Sequence, residues 1–151
     1  MVDVRAKGAK AETDIKNILK KYTGLGWERT PGSGALDEKH MLKGDLYIPG
    51  KENLYCVECK HYQDDHINSG ILTNKTPQII EWWMQAVRQG SQVGRKPLLI
   101  FKHNRSKMFV AYEDMPSTTD YRMILIGSHG YEFYISLLED WLTYEKPKFI
   151  K

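Results

Sequence analysis

The chain has 151 residues, 41% of them apolar and 27% charged, and a formal net charge of +3. Such a length suits one domain with a real core, and the composition excludes a disordered tail. No apolar run nears the ~18 residues of a membrane span, and two cysteines, Cys56 and Cys59, make no disulfide framework. With no apolar leader in "MVDVRAKGAKAE", a cytoplasmic location is expected.

In chain order, Ala11, Ile15, Ile18, Leu19 and Tyr22 keep a helical rhythm that predicts a first helix over "AKGAKAETDIKNILKKY". "GLGW" ends it, "WERT" is a short strand, and "PGSGALDEKHMLKG" is a loop rich in turn formers. "DLYI" and "LYCVECKHY" read as strands about the turn "PGKEN". "DDHINSGILTNK" reads as loop, after which Thr76 and Pro77 supply an N-cap and a first-turn proline for a second helix, "PQIIEWWMQAVRQGS". "PLLIF", "KMFVAYE", "RMILI" and "YEFYI" follow as strands. Ser136 and Glu139 form a capping box for a last helix, "LLEDWLTYE". The expected fold is α/β, a central mixed sheet flanked by helices.

Glu58 and Lys60 interrupt an apolar strand. Side chains alternate at period two, so these two share one face while Val57 and Cys59 take the other. A turn centred near residue 51 or 52 sets Asp45 opposite Glu58, within roughly 4.5–5.5 Å. Two carboxylates that close repel, and burial sharpens the conflict unless a cation intervenes. Mg²⁺ suits one or two carboxylates with water and a phosphate, and Mn²⁺ is expected to substitute. Lys60 is then placed to orient or deprotonate a water, or to neutralise charge on a phosphate. Taken alone, an ExK in a strand is more often a surface ion pair. The cross-strand Asp45, the Gly-rich loop and the basic flanks favour a site. Glu12 borders the apolar stripe of the first helix, within reach of the sheet edge.

The arrangement resembles the PD-(D/E)xK nuclease superfamily, and within it archaeal-type Holliday junction resolvases and their phage-encoded relatives. "KGAKAETDIKNILKK" looks like the basic segment and Glu-bearing helix of that family, "RTPGSGA" like its Ser-containing loop, "GDLYI" like its Asp strand and "VECK" like its ExK strand. Residue 44 is Gly where the superfamily name promises Pro. The resemblance implies a restriction-endonuclease-like core in a single nuclease domain spanning 1–151, with the core over about 7–112 and a C-terminal extension over about 120–151. It implies that Asp45, Glu58 and the main-chain carbonyl of Cys59 bind metal and that Lys60 serves the attacking water. Glu12 then assists at that metal or a second one, and Ser33 meets the phosphate.

Residues 1–21 carry six Lys/Arg against three acids, and residues 95–107 carry five and none. Such clusters suit nucleic acid. Arg5, Lys7, Lys10 and Arg29 are candidate phosphate contacts, with 95–107 a second track. The expectation is a Mg²⁺-dependent endonuclease on four-way DNA junctions, working as a homodimer because the substrate is two-fold. "KMFVAYE" and "YEFYISLLEDWL" offer material for the dimer surface, or for core. The alternatives are a restriction-like or repair nuclease on duplex or flapped DNA, and a non-catalytic nucleic-acid-binding module. A zinc or redox role for Cys56 and Cys59 is disfavoured, because a spacing of three on a strand splits the thiols between faces. Asp64, Asp65 and His66 read as a solvated loop, Trp82 and Trp83 as core, and Gln85 as lying on the polar arc of its helix.

Overall fold

The computed structural model describes residues 4–31, 43–63 and 65–151, with side chains from Gly8 onward. Helix α1 (Val4–Thr23) is followed by strands β1 (Glu28–Arg29), β2 (Leu46–Tyr47) and β3 (Tyr55–Tyr62). Helices α2 (Gly70–Thr73) and α3 (Gln78–Gln92) lead to β4 (Lys96–His103) and β5 (Phe109–Tyr112). Strands β6 (Ile124–Ser128) and β7 (Tyr131–Leu137) and helix α4 (Leu138–Glu145) complete the order. Among the described residues, the seven strands form one sheet in the order β1-β2-β3-β4-β5-β7-β6. Only β3 and β4 are parallel, as a crossover through α3 requires, and the other pairs are antiparallel. The fold is the mixed α/β sheet with flanking helices expected of a restriction-endonuclease-like core.

The alternation of side chains sorts the core into two layers. On one face Val57, Leu98, Ile100, Val110 and Tyr112 meet Ile15 and Leu19 of α1 and Leu138, Trp141 and Leu142 of α4. On the other, Leu99, Phe101, Ala111 and Ile135 meet Ile79, Ile80, Trp82 and Trp83 of α3. Residues 124–145 thus add two strands and a helix to the same sheet and core. No described helix is long and apolar enough to cross a membrane.

Helix α1 buries Ala11, Ile15 and Leu19, while Tyr22 ends up exposed, so its apolar stripe is narrower than its rhythm predicts. Thr23 closes the helix. Its hydroxyl donates to the Leu19 carbonyl (2.6 Å) and accepts from the Leu25 amide (3.2 Å) and the Trp27 indole (3.0 Å). Gly24, at φ 71°, turns the chain out in the left-handed region.

Three sequence expectations are corrected. The stretch after β3 holds the short helix α2. Pro77, not Thr76, is the N-cap of α3. Ser136 is no cap: Leu137 precedes α4, and the Ser136 hydroxyl bonds the buried Tyr112 hydroxyl at 2.8 Å. A local motif has lost to a core hydrogen bond, because Ser136 is the buried partner of Val110 in the β5–β7 ladder. Of the two uses left open for "KMFVAYE" and "YEFYISLLEDWL", core takes most of their apolar residues, since Val110, Ala111, Tyr112, Phe133, Ile135 and Trp141 are all buried.

Candidate functional site

The turn between β2 and β3 sets the site's geometry, and Asn53 pins it. Its side chain accepts from the Ile48 amide at 2.8 Å and donates to the carbonyls of Ile48 and Lys51, each at 2.9 Å. With Ile48 held at both its polar groups, Leu46 pairs Val57. One residue earlier, the Asp45 amide donates to the Val57 carbonyl at 2.7 Å. The C-terminal tail braces the same turn: the Leu54 amide bonds the Phe149 carbonyl (2.9 Å) and the Lys151 amide the Glu52 carbonyl (3.0 Å).

Gly44 explains the departure from the superfamily name. At φ 89° it lies in a region closed to proline, whose ring fixes φ near −65°. A Cβ there would sit 2.8 Å from the Val57 carbonyl oxygen. The close approach of Gly44 to β3 is what lets Asp45 aim at that strand.

Asp45 Oδ2 accepts a 2.7 Å hydrogen bond from the Cys59 amide, taking the place of a ladder acceptor just before the start of β2. The Asp45 carboxyl lies close enough to Glu58 for its charge to act on it. Glu58 is 4% exposed, and its Oε1 is buried with no hydrogen-bond partner. Burial, then the charge of Asp45, raises the Glu58 carboxyl well above its ordinary range, against the pull of Lys60. Asp45 is raised less, chiefly by burial and by Glu12, because the Cys59 amide favours its ionised form. The pair therefore tends to keep a proton between them when no cation is bound.

Lys60 stands one step along β3 on the Glu58 side of the sheet and lines a cleft of about 510 Å³ with Tyr62 of the same strand and Gln78, Glu81, Trp82 and Gln85 of α3. The polar arc of α3 thus faces this cleft, which brings Gln85 alongside Lys60. Helical phase alone pointed it away, because the phase says nothing of where a wet cleft opens. Tyr62 escaped the sequence reading altogether; its only signal was its period-two place after Glu58 and Lys60.

Glu12 is near enough for its charge to raise both carboxyls, but Arg29 holds it: Arg29 Nε donates to Glu12 Oε2 at 2.8 Å. Among the described residues no three His, Cys, Asp or Glu side chains converge as a ready metal cage. Of the expected ligands, Asp45 and Glu58 come together as a pair, and Glu12 is tied to Arg29. That pair fits a hard divalent cation: both donors are carboxylate oxygens, and one of them, Glu58 Oε1, is buried and unpartnered.

Of the candidate phosphate contacts, Lys10 is exposed and paired with Asp14 at 3.0 Å. Ser33, Asp64 and the side chains of Arg5 and Lys7 lie outside the described residues. The 95–107 cluster is not one track. Arg95 and Lys96 lie at the start of β4 and Lys102 near its end, a separation of about 20–23 Å at the rise of a strand. Lys96 is engaged by Asp114 at 2.7 Å. Both cysteines are free, and burial pushes the Cys56 thiol up to about 12 and raises Cys59 as well, as befits inert core thiols. Trp82 and Trp83 are buried as expected.

A mixed sheet whose antiparallel Asp strand and ExK strand converge on one buried carboxylate pair is the architecture of a PD-(D/E)xK nuclease. The family described as "Phage putative PDDEXK endonuclease" matches residues 3–151, and the chain belongs to it. It is similar to Protein D14 of Escherichia phage T5, at 39% identity over 148 residues, covering 93% of this chain and 92% of that protein. The chain is thus a nuclease, with DNA as its substrate and a divalent metal as the family's general requirement.

Proposed function

We propose that this nuclease is a Mg²⁺-dependent, structure-selective endonuclease that hydrolyses phosphodiesters at four-way DNA junctions as a homodimer. The observation that carries the hydrolytic site is the β2–β3 register that sets Asp45 against Glu58, whose buried Oε1 has no partner, one strand step from Lys60.

Asp45 and Glu58 would hold the cation, with the Cys59 carbonyl beside them. The N–H and C=O of one strand residue leave the same edge, and the Cys59 amide is directed at Asp45. Bound there, Mg²⁺ would supply Lewis-acid stabilisation of the phosphate and lower the pKa of water. The remaining chemistry belongs to the chain. Lys60 presents an ammonium at the mouth of the cleft, where it orients the attacking water and offsets charge on the phosphate. Asp45 is fixed by the Cys59 amide, so its carboxylate keeps one aim. Arg29 both restrains Glu12 and offers a guanidinium to a phosphate, and Ser33 is assigned to the phosphate by resemblance.

Junction preference rests on the likeness to resolvases and on symmetry. Each chain carries one constellation, a four-way junction presents two scissile phosphates related by a two-fold axis, and a closed dimer matches it. Incubation of the protein with a labelled four-way junction and its matching linear duplex, in Mg²⁺ or EDTA, tests the reading. Paired cuts in the junction alone, abolished by EDTA, are expected. Equal cutting of duplex or flapped DNA would replace the junction reading with a restriction-like or repair nuclease. Binding without cutting would leave only a non-catalytic module.

A further inference from the structure

Tyr62 is the third residue in the row that begins with Glu58 and Lys60, about 6.6 Å beyond Lys60 on the same face of β3. It is 39% exposed, an unusual position for a large ring beside a charged site. One side of the ring is backed by Trp82, at 4.6 Å between centroids and a 31° tilt, and its edge is met by His66 at 5.6 Å. Trp82 is buried and packs on Phe101, so the platform is anchored in the core. Its backbone is fixed too, since the Asn104 amide donates to the Tyr62 carbonyl at 3.1 Å. Tyr62 and Trp82 form an aromatic wall of the cleft that Lys60 lines, and Thr76, Gln78, Gln85 and Arg88 supply polar groups around it.

An aromatic face held rigid, open on one side and one strand step from an ammonium aimed at phosphate is suited to a nucleotide whose base is out of its stack. Base stacking on an aromatic side chain tolerates every base, because each has a π-face. A paired base inside a duplex cannot reach the ring. We propose that the cleft between Lys60 and Trp82 is a nucleobase subsite in which Tyr62 stacks an unpaired base, so that DNA opened at the cleavage point is favoured over continuous duplex. The placement of that base beside the cleaved phosphate rests on the nuclease reading above. The subsite itself takes single-stranded DNA whether or not the bond is cut. Gln85 stands ready to meet a base edge and Arg88 a flanking phosphate, while the Gln78 amide donates to Glu81 at 3.3 Å on the cleft wall.

The test compares binding of a labelled single-stranded oligothymidylate with that of an abasic oligomer of the same length, in Ca²⁺, for the wild-type chain and for Tyr62→Phe, Tyr62→Leu and Tyr62→Gln. The wild type and Tyr62→Phe are expected to bind the base-bearing oligomer about 5- to 150-fold more tightly than the abasic one. Tyr62→Leu should bring that ratio close to one while leaving the abasic affinity unchanged. Tyr62→Gln serves as the second non-aromatic variant if leucine disturbs the packing on Trp82. A wild-type ratio near one, or a non-aromatic variant that weakens both oligomers equally, would overturn the subsite and leave Tyr62 as the rim of the core. Hydrolysis is scored apart, by Mg²⁺-dependent cutting of a junction. A protein that distinguishes the oligomers but never cuts keeps the subsite and loses the nuclease chemistry, and one that cuts without distinguishing them does the reverse.

Discussion

Asn53 holds Ile48 at both its backbone polar groups, accepting from its amide at 2.8 Å and donating to its carbonyl at 2.9 Å. This clamp fixes the register that sets Asp45 against Glu58. Asn53→Ala would strand the two Ile48 groups in a buried turn, at a cost of about 1–3 kcal/mol for each group left without a partner. Denaturant unfolding should show a lower midpoint with unchanged slope, and DNA cleavage should fall even at temperatures where the variant is folded. Full activity with a lowered midpoint would mean that register survives without the clamp.

The buried carboxylate pair makes a pH prediction for metal-free protein. Both folded carboxyls are raised, so between their unfolded and folded values the folded chain binds more protons than the unfolded chain. Stability in EDTA should therefore fall as pH rises from the ordinary carboxylate range towards and through neutrality. Glu58→Gln removes the repulsion and should raise the melting temperature at neutral pH and flatten that slope. A Glu58→Gln protein with the wild-type slope in EDTA would place the charge conflict elsewhere.

Arg29 and Glu12 are joined across 17 residues at 2.8 Å, which makes Arg29 a competitor for any cation that draws on Glu12. Arg29→Gln should increase Mn²⁺ affinity in a calorimetric titration of the protein alone, and should weaken binding to DNA in Ca²⁺. Unchanged metal affinity would show that Glu12 takes no part at the metal.

The basic residues at the two ends of β4 are expected to differ in their part in DNA binding. Lys102 lies next to His103, which pairs Tyr62 at the cleft end of the sheet, and Arg105 and Lys107 follow it in the turn. Replacing Lys102, Arg105 and Lys107 by Ala should flatten the salt dependence of DNA binding by up to ~0.9 for each phosphate that is no longer neutralised. The Arg95→Ala, Lys96→Ala pair, at the far end, should leave it unchanged. The same effect from both sets would contradict this placement.

Much of the site could be read from residues 43–62, because period-two alternation and a five-residue turn leave few ways to pair the strands. The helices and most strands follow from apolar rhythm for the same reason. What escaped depends on neighbours distant in sequence or on the shape of the folded chain. The role of Asn53 is a side-chain bond to a backbone that only the folded turn presents, and the Ser136 capping signal is overridden by Tyr112, 24 residues away. The 95–107 run looks like one basic patch until a strand of eight residues is drawn through it. Residue 44 looked like a flaw in a motif, whereas its φ of 89° shows why glycine is needed. Gln85 and Tyr62 needed the cleft itself to be seen.

We propose that Asp45, Glu58 and Lys60 form a hydrolytic centre. It is tested most directly by Glu58→Gln on a labelled four-way junction, with binding measured in Ca²⁺ and cleavage in Mg²⁺. The variant is expected to bind the junction at least as tightly as the wild type, because a carboxylate facing phosphate is gone, and to lose cleavage. A Glu58→Gln protein that cuts the junction at a near-normal rate in Mg²⁺ would contradict it.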